Sequence, residues 1–256
     1  MKVDIFSLEG NKIGSLELPE QFNEEYEPNL VRRAILVIEN NNRQPYGAMP
    51  KAGQGVSAKL SRRRRNYKGS YGKGISRVPR KTMWKRGMQF GWEGALAPGT
   101  KGGRRAHPPK AEKIWTQKIN KKERRKAIRS ALSGIALQNK LKIVENKIEE
   151  ISKTKELKKV FEKIGINAAK VERRRPGKGK TRGREKRYKK NALIVVSKKC
   201  NLMKSANSIP GFDIIEVNKL NAAILTLGHE LPRECLWTKE AMEILSKEKL
   251  FLGDKK

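Results

Sequence analysis

Arginine and lysine side chains, interleaved with glycine and aromatic residues, fill the segment from Arg43 to Lys110. It holds 18 Lys and Arg residues against one acid, Glu93, with 12 of the 22 glycines and 6 of the 11 prolines. Arginine neutralises phosphates, forms bidentate contacts with them and stacks on bases. Glycine lets a backbone pass close to a ribose-phosphate surface where a Cβ would clash. The combination predicts contact with RNA.

Two features of this segment have simpler alternatives. The run Arg62–Arg65 suits a crowded junction of phosphates, but a localisation signal or a solvated tail has the same composition. Tyr67, Tyr71, Trp84 and Trp92 can stack on unpaired bases, at about 1–3 kcal/mol each, or can pack locally on their own segment. Because aliphatic periodicity is nearly absent, we expect an extended loop that becomes ordered on a partner.

Positive charge also collects at two places outside this segment. Lys170–Lys190 holds 12 Lys and Arg residues against Glu172 and Glu185. A capping-box pattern, Asn120 with Glu123, predicts a helix start whose first residues include Lys121, Lys122, Arg124 and Arg125. Cations there oppose the helix dipole, and phosphate oxygens docked at that end would reverse the sign. A merely solvated basic face is the alternative.

The remaining sequence alternates between strand and helix patterns. Predicted strands are Val3–Leu8, Ile13–Leu18, Lys142–Glu145, Ala192–Val196, Asp213–Val217 and Cys235–Trp237. Predicted helices begin at Pro28 and Asn120, at Thr154 as a cap with Gly165 at the end, at Asn201 (to Asn207), at Lys219 (to Leu227), and at Thr238 as a cap. This alternation predicts an α/β fold, a mostly parallel sheet flanked by helices. The predicted body is 1–42 and 111–256, with 43–110 as the long loop and 170–190 as a basic insertion.

The formal net charge of +34 calls for a polyanionic partner. Nucleic acid is the first candidate. An anionic membrane surface is the alternative, but there is no long apolar run and no basic amphipathic helix with a bulky aromatic face. The N-terminus is typical of a strand rather than a signal peptide. Two cysteines, Cys200 and Cys235, give no disulfide framework and suit a reducing cytoplasm.

Motifs for enzyme chemistry are weak. Gly179-Lys180-Thr181 resembles the end of a phosphate-binding loop, but Arg174 stands where that motif needs glycine. Gly69, Gly72 and Gly74 lack dinucleotide-fold spacing. We therefore expect neither enzyme activity nor a cofactor.

Metal binding is also not indicated by the sequence. His107 and His229 lie far apart, and the two cysteines form no CxxC pair, so we expect no metal site. For His107 we expect an RNA contact, and for His229 a surface turn.

Several stretches, taken in order, carry a family resemblance. They are Gly72–Arg80, Gly99–Lys110, Ile119–Leu132, Gly177–Lys180 with Arg182, Arg184 and Arg187, Asn201–Val217, Leu220, and Thr238–Leu245. In order and spacing the chain resembles the universal L-four family of large-subunit ribosomal proteins, in its archaeal form.

The resemblance implies a globular α/β domain on the outside of the large ribosomal subunit, in the cytoplasm. It implies a loop that threads the rRNA to the wall of the polypeptide exit tunnel, with its tip around Ser70–Gly87, and a role in subunit assembly. The implied partners are large-subunit rRNA, neighbouring ribosomal proteins and the nascent polypeptide, with neither a membrane nor a small-molecule substrate.

Composition and resemblance together give the predicted residue sets. The predicted rRNA-binding residues are Arg43, Lys51, Lys59, Arg62, Arg63, Arg64, Arg65, Tyr67, Lys68, Tyr71, Lys73, Arg77, Arg80, Lys81, Trp84, Lys85, Arg86, Lys101, Arg104, Arg105, His107, Lys110, Lys121, Lys122, Arg124, Arg125, Arg173, Arg174, Arg175, Lys178, Lys180, Arg182, Arg184 and Arg187. The tunnel-facing residues implied by the resemblance are Tyr71, Gly72, Lys73, Gly74, Arg77, Arg80, Trp84 and Arg86.

Two other hypotheses are a regulatory or processing protein acting on free RNA, and a non-specific DNA-compacting protein. The second is disfavoured because no recognition-helix pattern occurs.

Overall fold

The computed structural model describes residues 1–166, 171–228 and 231–253. It divides into two units, one formed by Met1–Asn42 with Thr116–Lys256, and one formed by Arg43–Trp115. We call the first the body and the second the basic segment.

The strands are β1 (Lys2–Phe6), β2 (Lys12–Glu17), β3 (Arg80–Arg86), β4 (Gln89–Gly94), β5 (Leu141–Val144), β6 (Val171–Arg174), β7 (Lys186–Tyr188), β8 (Leu193–Val196), β9 (Asp213–Glu216), β10 (Thr226–Leu227), β11 (Leu231–Pro232) and β12 (Cys235–Thr238). The helices are α1 (Pro28–Asn42), α2 (Lys121–Leu137), α3 (Thr154–Ile164), α4 (Lys178–Thr181), α5 (Asn201–Asn207), α6 (Ala222–Leu225) and α7 (Lys239–Lys247). Short 3₁₀ turns lie at Glu20–Phe22, Asn146–Glu150 and Val217–Lys219.

The main sheet of the body has the strand order β2-β1-β5-β12-β8-β9. Strand β2 pairs antiparallel with β1 at the edge, and the other neighbours pair in parallel. The central register places Trp237 of β12 beside Ile143 on one side and Val195 on the other. The α/β fold with a mostly parallel sheet is therefore confirmed.

Both faces of this sheet are covered, as the apolar strand β8 shows. Leu193 and Val195 point into one core cluster with residues of α1, α2, α6 and α7, while Ile194 and Val196 point into another with residues of α3 and α5. All four side chains are fully buried. Successive strand side chains face opposite sides, so a strand covered by helices on both faces must be apolar throughout.

Helix ends follow the sequence signals in three cases. The Asn120 N–H donates to Glu123 Oε2 at 3.4 Å, completing the predicted capping box of α2. The Thr238 hydroxyl accepts from the Ala241 N–H at 3.3 Å and caps α7. Gly165 ends α3 with φ of 80°, a left-handed conformation that glycine adopts without strain. These predictions are confirmed.

Two helix predictions are wrong. Thr154 is the first residue of α3 rather than its cap, and Lys153 precedes it without a side-chain cap bond. The helix expected over Lys219–Leu227 is interrupted, because Asn221 Oδ1 accepts from the Ile224 N–H at 3.0 Å and starts the short α6 afresh. Asparagine side chains compete for backbone donors in this way.

The basic segment contains an antiparallel hairpin, β3–β4, which the sequence reasoning did not predict. On one face of the hairpin, Phe90 packs edge-on against Tyr67 and Trp92, with ring centroids 5.3 Å apart in each pair. This pattern is an alternation of aromatic residues rather than of aliphatic ones. A search for aliphatic periodicity therefore misses it.

The second basic stretch also forms a hairpin, in which β6 and β7 pair antiparallel around α4. None of the helices within the described ranges is long and apolar enough to cross a membrane.

Candidate nucleic-acid interface

The basic segment leaves its positive charge without protein counter-charges. Arg43–Trp115 holds 19 Lys and Arg residues and two acids, Glu93 and Glu112. Among the described residues, no ion pair has a member in this segment. In the body, by contrast, Arg129 pairs with Glu24 at 2.8 Å and Lys142 with Glu234 at 3.1 Å. The segment therefore presents positive charge that the described protein groups do not neutralise and that suits a polyanionic partner.

The Arg62–Arg65 run occupies a tight turn with all four side chains exposed. Asn66 Nδ2 donates to Ser61 Oγ at 2.9 Å, and Arg65 and Lys68 both adopt φ of 59°. A left-handed conformation costs a residue with a side chain roughly 1–2 kcal/mol. The turn therefore carries local strain while it crowds like charges together, and bound phosphates would relieve that crowding.

Aromatic rings hold several of these cations in place. The Arg43 guanidinium and the Lys113 ammonium lie 4.3 and 4.4 Å from the centroid of Trp115. Arg77 lies 4.7 Å from the Tyr71 ring. Such contacts contribute about 0.5–1 kcal/mol at exposed sites and leave the cation charged. The rings orient the cations without neutralising them.

Two more cations lie over the aromatic face of the β3–β4 hairpin. Arg80 lies 5.2 Å from the ring centroid of Trp92, and Lys68 lies 5.1 Å from that of Phe90. Lys68 also donates to the Thr82 hydroxyl at 2.7 Å. Trp92 thus packs against its own segment, which is one of the two roles predicted for it. Trp84 stands apart, with 56% of its surface exposed.

The second basic stretch presents its cations on the β6–β7 hairpin. Its one acid with a described side chain, Glu185, lies 3.7 Å from Arg174, and its carbonyl accepts from the Arg175 N–H at 2.7 Å. Lys180 and Thr181 lie on the one-turn helix α4 between two exposed basic strands. That setting is unlike the buried strand and long helix of a phosphate-binding loop.

The start of α2 forms a third basic surface. Lys121, Lys122 and Arg124 are exposed, whereas Arg125 is half-buried. Glu123 is shared, because it closes the capping box and also accepts from Arg33 at 3.0 Å. Exposed cations therefore remain at the positive end of the helix dipole.

The structure places the predicted residues as follows. Exposed are Arg43, Lys51, Lys59, Arg62, Arg63, Arg64, Arg65, Tyr67, Gly72, Lys73, Gly74, Arg77, Trp84, Lys85, Arg86, Lys101, Arg104, Arg105, His107, Lys110, Lys121, Lys122, Arg124, Arg173, Arg174, Arg175, Lys178, Lys180, Arg182, Arg184 and Arg187. Half-buried are Lys68, Tyr71, Arg80, Lys81 and Arg125. His229 lies outside the described residues.

One aromatic–cation cluster of the basic segment was not predicted from the sequence. Trp115 stacks on Tyr46 with centroids 6.4 Å apart, and Arg43 and Lys113 lie against its ring. The predicted boundary at Lys110 left out Lys113 and Trp115. A tryptophan two residues after a lysine, just beyond a basic segment, was the available signal.

α/β proteins commonly bind ligands at the carboxyl ends of the parallel strands. Here a buried carboxylate connects those ends by hydrogen bonds. Glu149 accepts from the Ser197 N–H at 3.1 Å, the Ser197 hydroxyl at 2.9 Å and the Thr238 hydroxyl at 2.8 Å. These bonds join the ends of β8 and β12 to the turn after β5. The carboxylate thus has a structural role.

Neither cysteine is primed for thiolate chemistry. Burial raises the pKa of the Cys235 thiol to about 12, and burial together with the charge of Glu149 raises the pKa of Cys200. Within the described ranges, no group of three or more His, Cys, Asp or Glu side chains could hold a metal ion.

Comparison with known proteins places this chain in a family. The model of the "Ribosomal protein L4/L1 family" matches residues 16–248. Proteins named large ribosomal subunit protein uL4 are similar over nearly their whole length. The one from Nanoarchaeum equitans is 42% identical, covering 98% of this chain and 100% of its own length. Those from Archaeoglobus fulgidus and Methanocaldococcus jannaschii are each 38% identical, covering 96% of this chain and 98% of their own lengths. The chain belongs to the ribosomal protein L4/L1 family.

Proposed function

We propose that this chain is a structural constituent of the large ribosomal subunit in the cytoplasm, and that it binds large-subunit rRNA rather than catalysing a reaction. The observation that carries the proposal is the set of exposed cations without ion-pair partners in Arg43–Trp115. The relatives, named as large-subunit proteins and matched over nearly their full lengths, support it.

Phosphates are the partner that fits this charge. Each cation that meets a phosphate releases a condensed counterion, so affinity rises with the number of contacts and falls steeply with salt. Arg62–Arg65 supplies a dense cluster, and the β6–β7 hairpin and the start of α2 supply two further sites. A protein with three such sites can hold separate stretches of RNA together, which is how it would aid subunit assembly.

The finer proposal concerns the exit tunnel. The tip, residues 70–87, forms part of the tunnel wall and meets the nascent polypeptide there, while side chains of the tip and of the rest of the basic segment contact rRNA. The family resemblance supports this placement, as does the exposure of Gly72, Lys73, Gly74 and Arg77 at the tip. Neighbouring large-subunit proteins are the remaining partners.

Co-sedimentation tests the coarser proposal. The tagged chain should remain with large subunits through a sucrose gradient after a high-salt wash, because many contacts buried within rRNA exchange slowly. Recovery at the top of the gradient, with large subunits intact, would contradict it.

Site-specific cross-linking tests the tunnel placement. A photoreactive residue at Lys73 should cross-link to a stalled nascent chain, and the same residue at exposed Lys155 on α3 should not. Equal cross-linking at both positions, or none at Lys73 in assembled particles, would rule out the tip as tunnel wall.

A further inference from the structure

The indole of Trp84 lies close against a glycine on the facing strand. In the β3–β4 hairpin, Trp84 is paired with Gly91. A Cβ built on Gly91 would lie 2.1 Å from Trp84 Nε1 and 2.6 Å from Cε2. Only glycine therefore lets the indole approach the backbone so closely. The hairpin backbone thus lies against the ring near Nε1, and Trp84 is still 56% exposed.

The register places this ring on the opposite face of the hairpin from the aromatic cluster. Residues paired across an antiparallel ladder share a face, and neighbours along a strand alternate. Phe90 and Trp92 therefore lie on one face, where Tyr67 and Arg80 contact them. Gly91 and Trp84 lie on the other. Within the described residues, no aromatic ring or cation lies over Trp84.

Charge on the same face indicates what covers the open ring. Arg86 pairs with Gln89, and this pair shares the face of Trp84. Arg86 is exposed two residues along the strand, about 7 Å away at the usual strand rise. An exposed ring with a cation at this distance suits a nucleotide whose base stacks on the ring and whose phosphate contacts the cation. A neutral apolar side chain would leave the cation without a partner.

We propose that Trp84, held by Gly91, is a stacking site for one unpaired RNA base, with Arg86 contacting the adjoining phosphate. This inference rests on the proposed rRNA binding and names the ligand class at one position of it. The stacking is not tied to one base identity, because every base has a π-face. The glycine is a positioning residue, since it acts only through the ring.

The test separates stacking from charge by using two probes with the same phosphates. The purified full chain is titrated with a 12-nucleotide oligoadenylate and with a 12-unit abasic oligomer of the same backbone. Trp84→Leu should weaken oligoadenylate binding roughly five- to a hundredfold and leave abasic binding unchanged. Trp84→Phe should retain most of the affinity, because it keeps a ring.

Gly91→Ala is the sharper variant. It leaves Trp84 in the sequence but pushes the ring off the strand, so it should weaken oligoadenylate binding in the same direction as Trp84→Leu. Met88→Ala is the matched control, since Met88 is 84% exposed at the hairpin turn, and it should change neither affinity. Thermal unfolding of each variant shows whether the hairpin change affects the fold.

Three outcomes would overturn the proposal. The first is that Trp84→Leu binds oligoadenylate as tightly as the unaltered chain, and the second is that it loses affinity for both oligomers equally. A third outcome is unchanged RNA binding with weaker retention in large subunits, which would assign the ring to a neighbouring protein. Failure of the unaltered chain to bind deproteinised large-subunit rRNA would instead contradict the proposed function, so the two failures are distinguishable.

Discussion

The body and the basic segment use their cations in different ways. In the body, Arg233 is 1% exposed and donates to Asp213 and to three backbone carbonyls, those of Asn191, Ala192 and Gly211. In the segment, Arg62–Arg65 point into solvent, and other cations lie against rings. The body thus satisfies its buried arginine by folding, whereas the segment, like the two exposed basic surfaces of the body, leaves its cations for a partner. The difference teaches that the stability of the body and the largest share of the RNA-binding charge reside in separable parts of one chain.

Removing the basic segment should give the largest effect. Asn41 and Gln117 exchange two hydrogen bonds, of 3.2 and 2.9 Å, where the segment leaves and rejoins the body. A linker of about four Gly and Ser residues between Asn42 and Thr116 should therefore close the chain with little change in stability. Affinity for large-subunit rRNA should fall roughly a hundredfold or more. Filter binding and urea unfolding measure the two effects, and an unfolded body would refute the separation.

Truncating a core side chain should lower stability and leave RNA affinity unchanged. Leu132 on α2 is fully buried, so Leu132→Ala should lower the free energy of unfolding by about 2–5 kcal/mol. At low temperature, where the variant remains folded, RNA affinity should be unchanged. Leu137 ends the same helix and is 62% exposed, so Leu137→Ala is the control and should cost under about 1 kcal/mol. Equal costs would contradict the assigned core.

The buried arginine gives an intermediate effect. Asp213→Asn keeps a side-chain oxygen but removes the charge that faces the Arg233 guanidinium, and should lower stability by roughly 1–3 kcal/mol. Asp4→Asn is the comparison, because Asp4 pairs with Lys12 at the exposed edge of the sheet and should cost about 0–1 kcal/mol. Urea unfolding of both variants decides whether burial sets the difference.

Acid should remove most of the stability difference between the unaltered chain and Asp213→Asn. Burial opposes ionisation of Asp213, but hydrogen bonds from Arg233 and Lys190 and their charges outweigh it, so the pKa of this carboxyl is lowered. Its contribution is present above the unfolded-state pKa, about 3.9, and is lost as pH falls through the folded-state value. The stability gap between the unaltered chain and Asp213→Asn should therefore narrow below about pH 4. A gap that widens in acid would show the opposite sign.

Local signals made much of the body predictable. The unbroken apolar run at Ala192–Val196 predicted a doubly covered strand, and Thr238 and Gly165 marked helix ends through contacts within a few residues. The interruption at Asn221 was missed because a side chain competed with the helix for a backbone donor. Strand order and the buried role of Arg233 depend on contacts far apart in sequence, which no local pattern shows.

The basic segment was predictable in its chemistry but not in its shape. Composition alone indicated RNA contact, whereas the β3–β4 hairpin depends on pairing between strands and on aromatic packing. The sequence offered Trp84 and Trp92 as equivalent stacking candidates. Only the register separates them, since it places Trp92 in a local cluster and Trp84 on the open face against Gly91.

The salt dependence of RNA binding tests the central claim most directly. Arg62–Arg65→Gln removes four cations from the basic segment. The control removes four exposed lysines from α3, by Lys→Gln changes at Lys155, Lys158, Lys159 and Lys163. For deproteinised large-subunit rRNA, log Kobs falls as log salt rises. The segment variant should reduce the magnitude of this slope by about 2–4, and the α3 variant should reduce it by less than about 1. Equal reductions would show that the positive charge acts only through its total, and would contradict a dedicated RNA-binding segment.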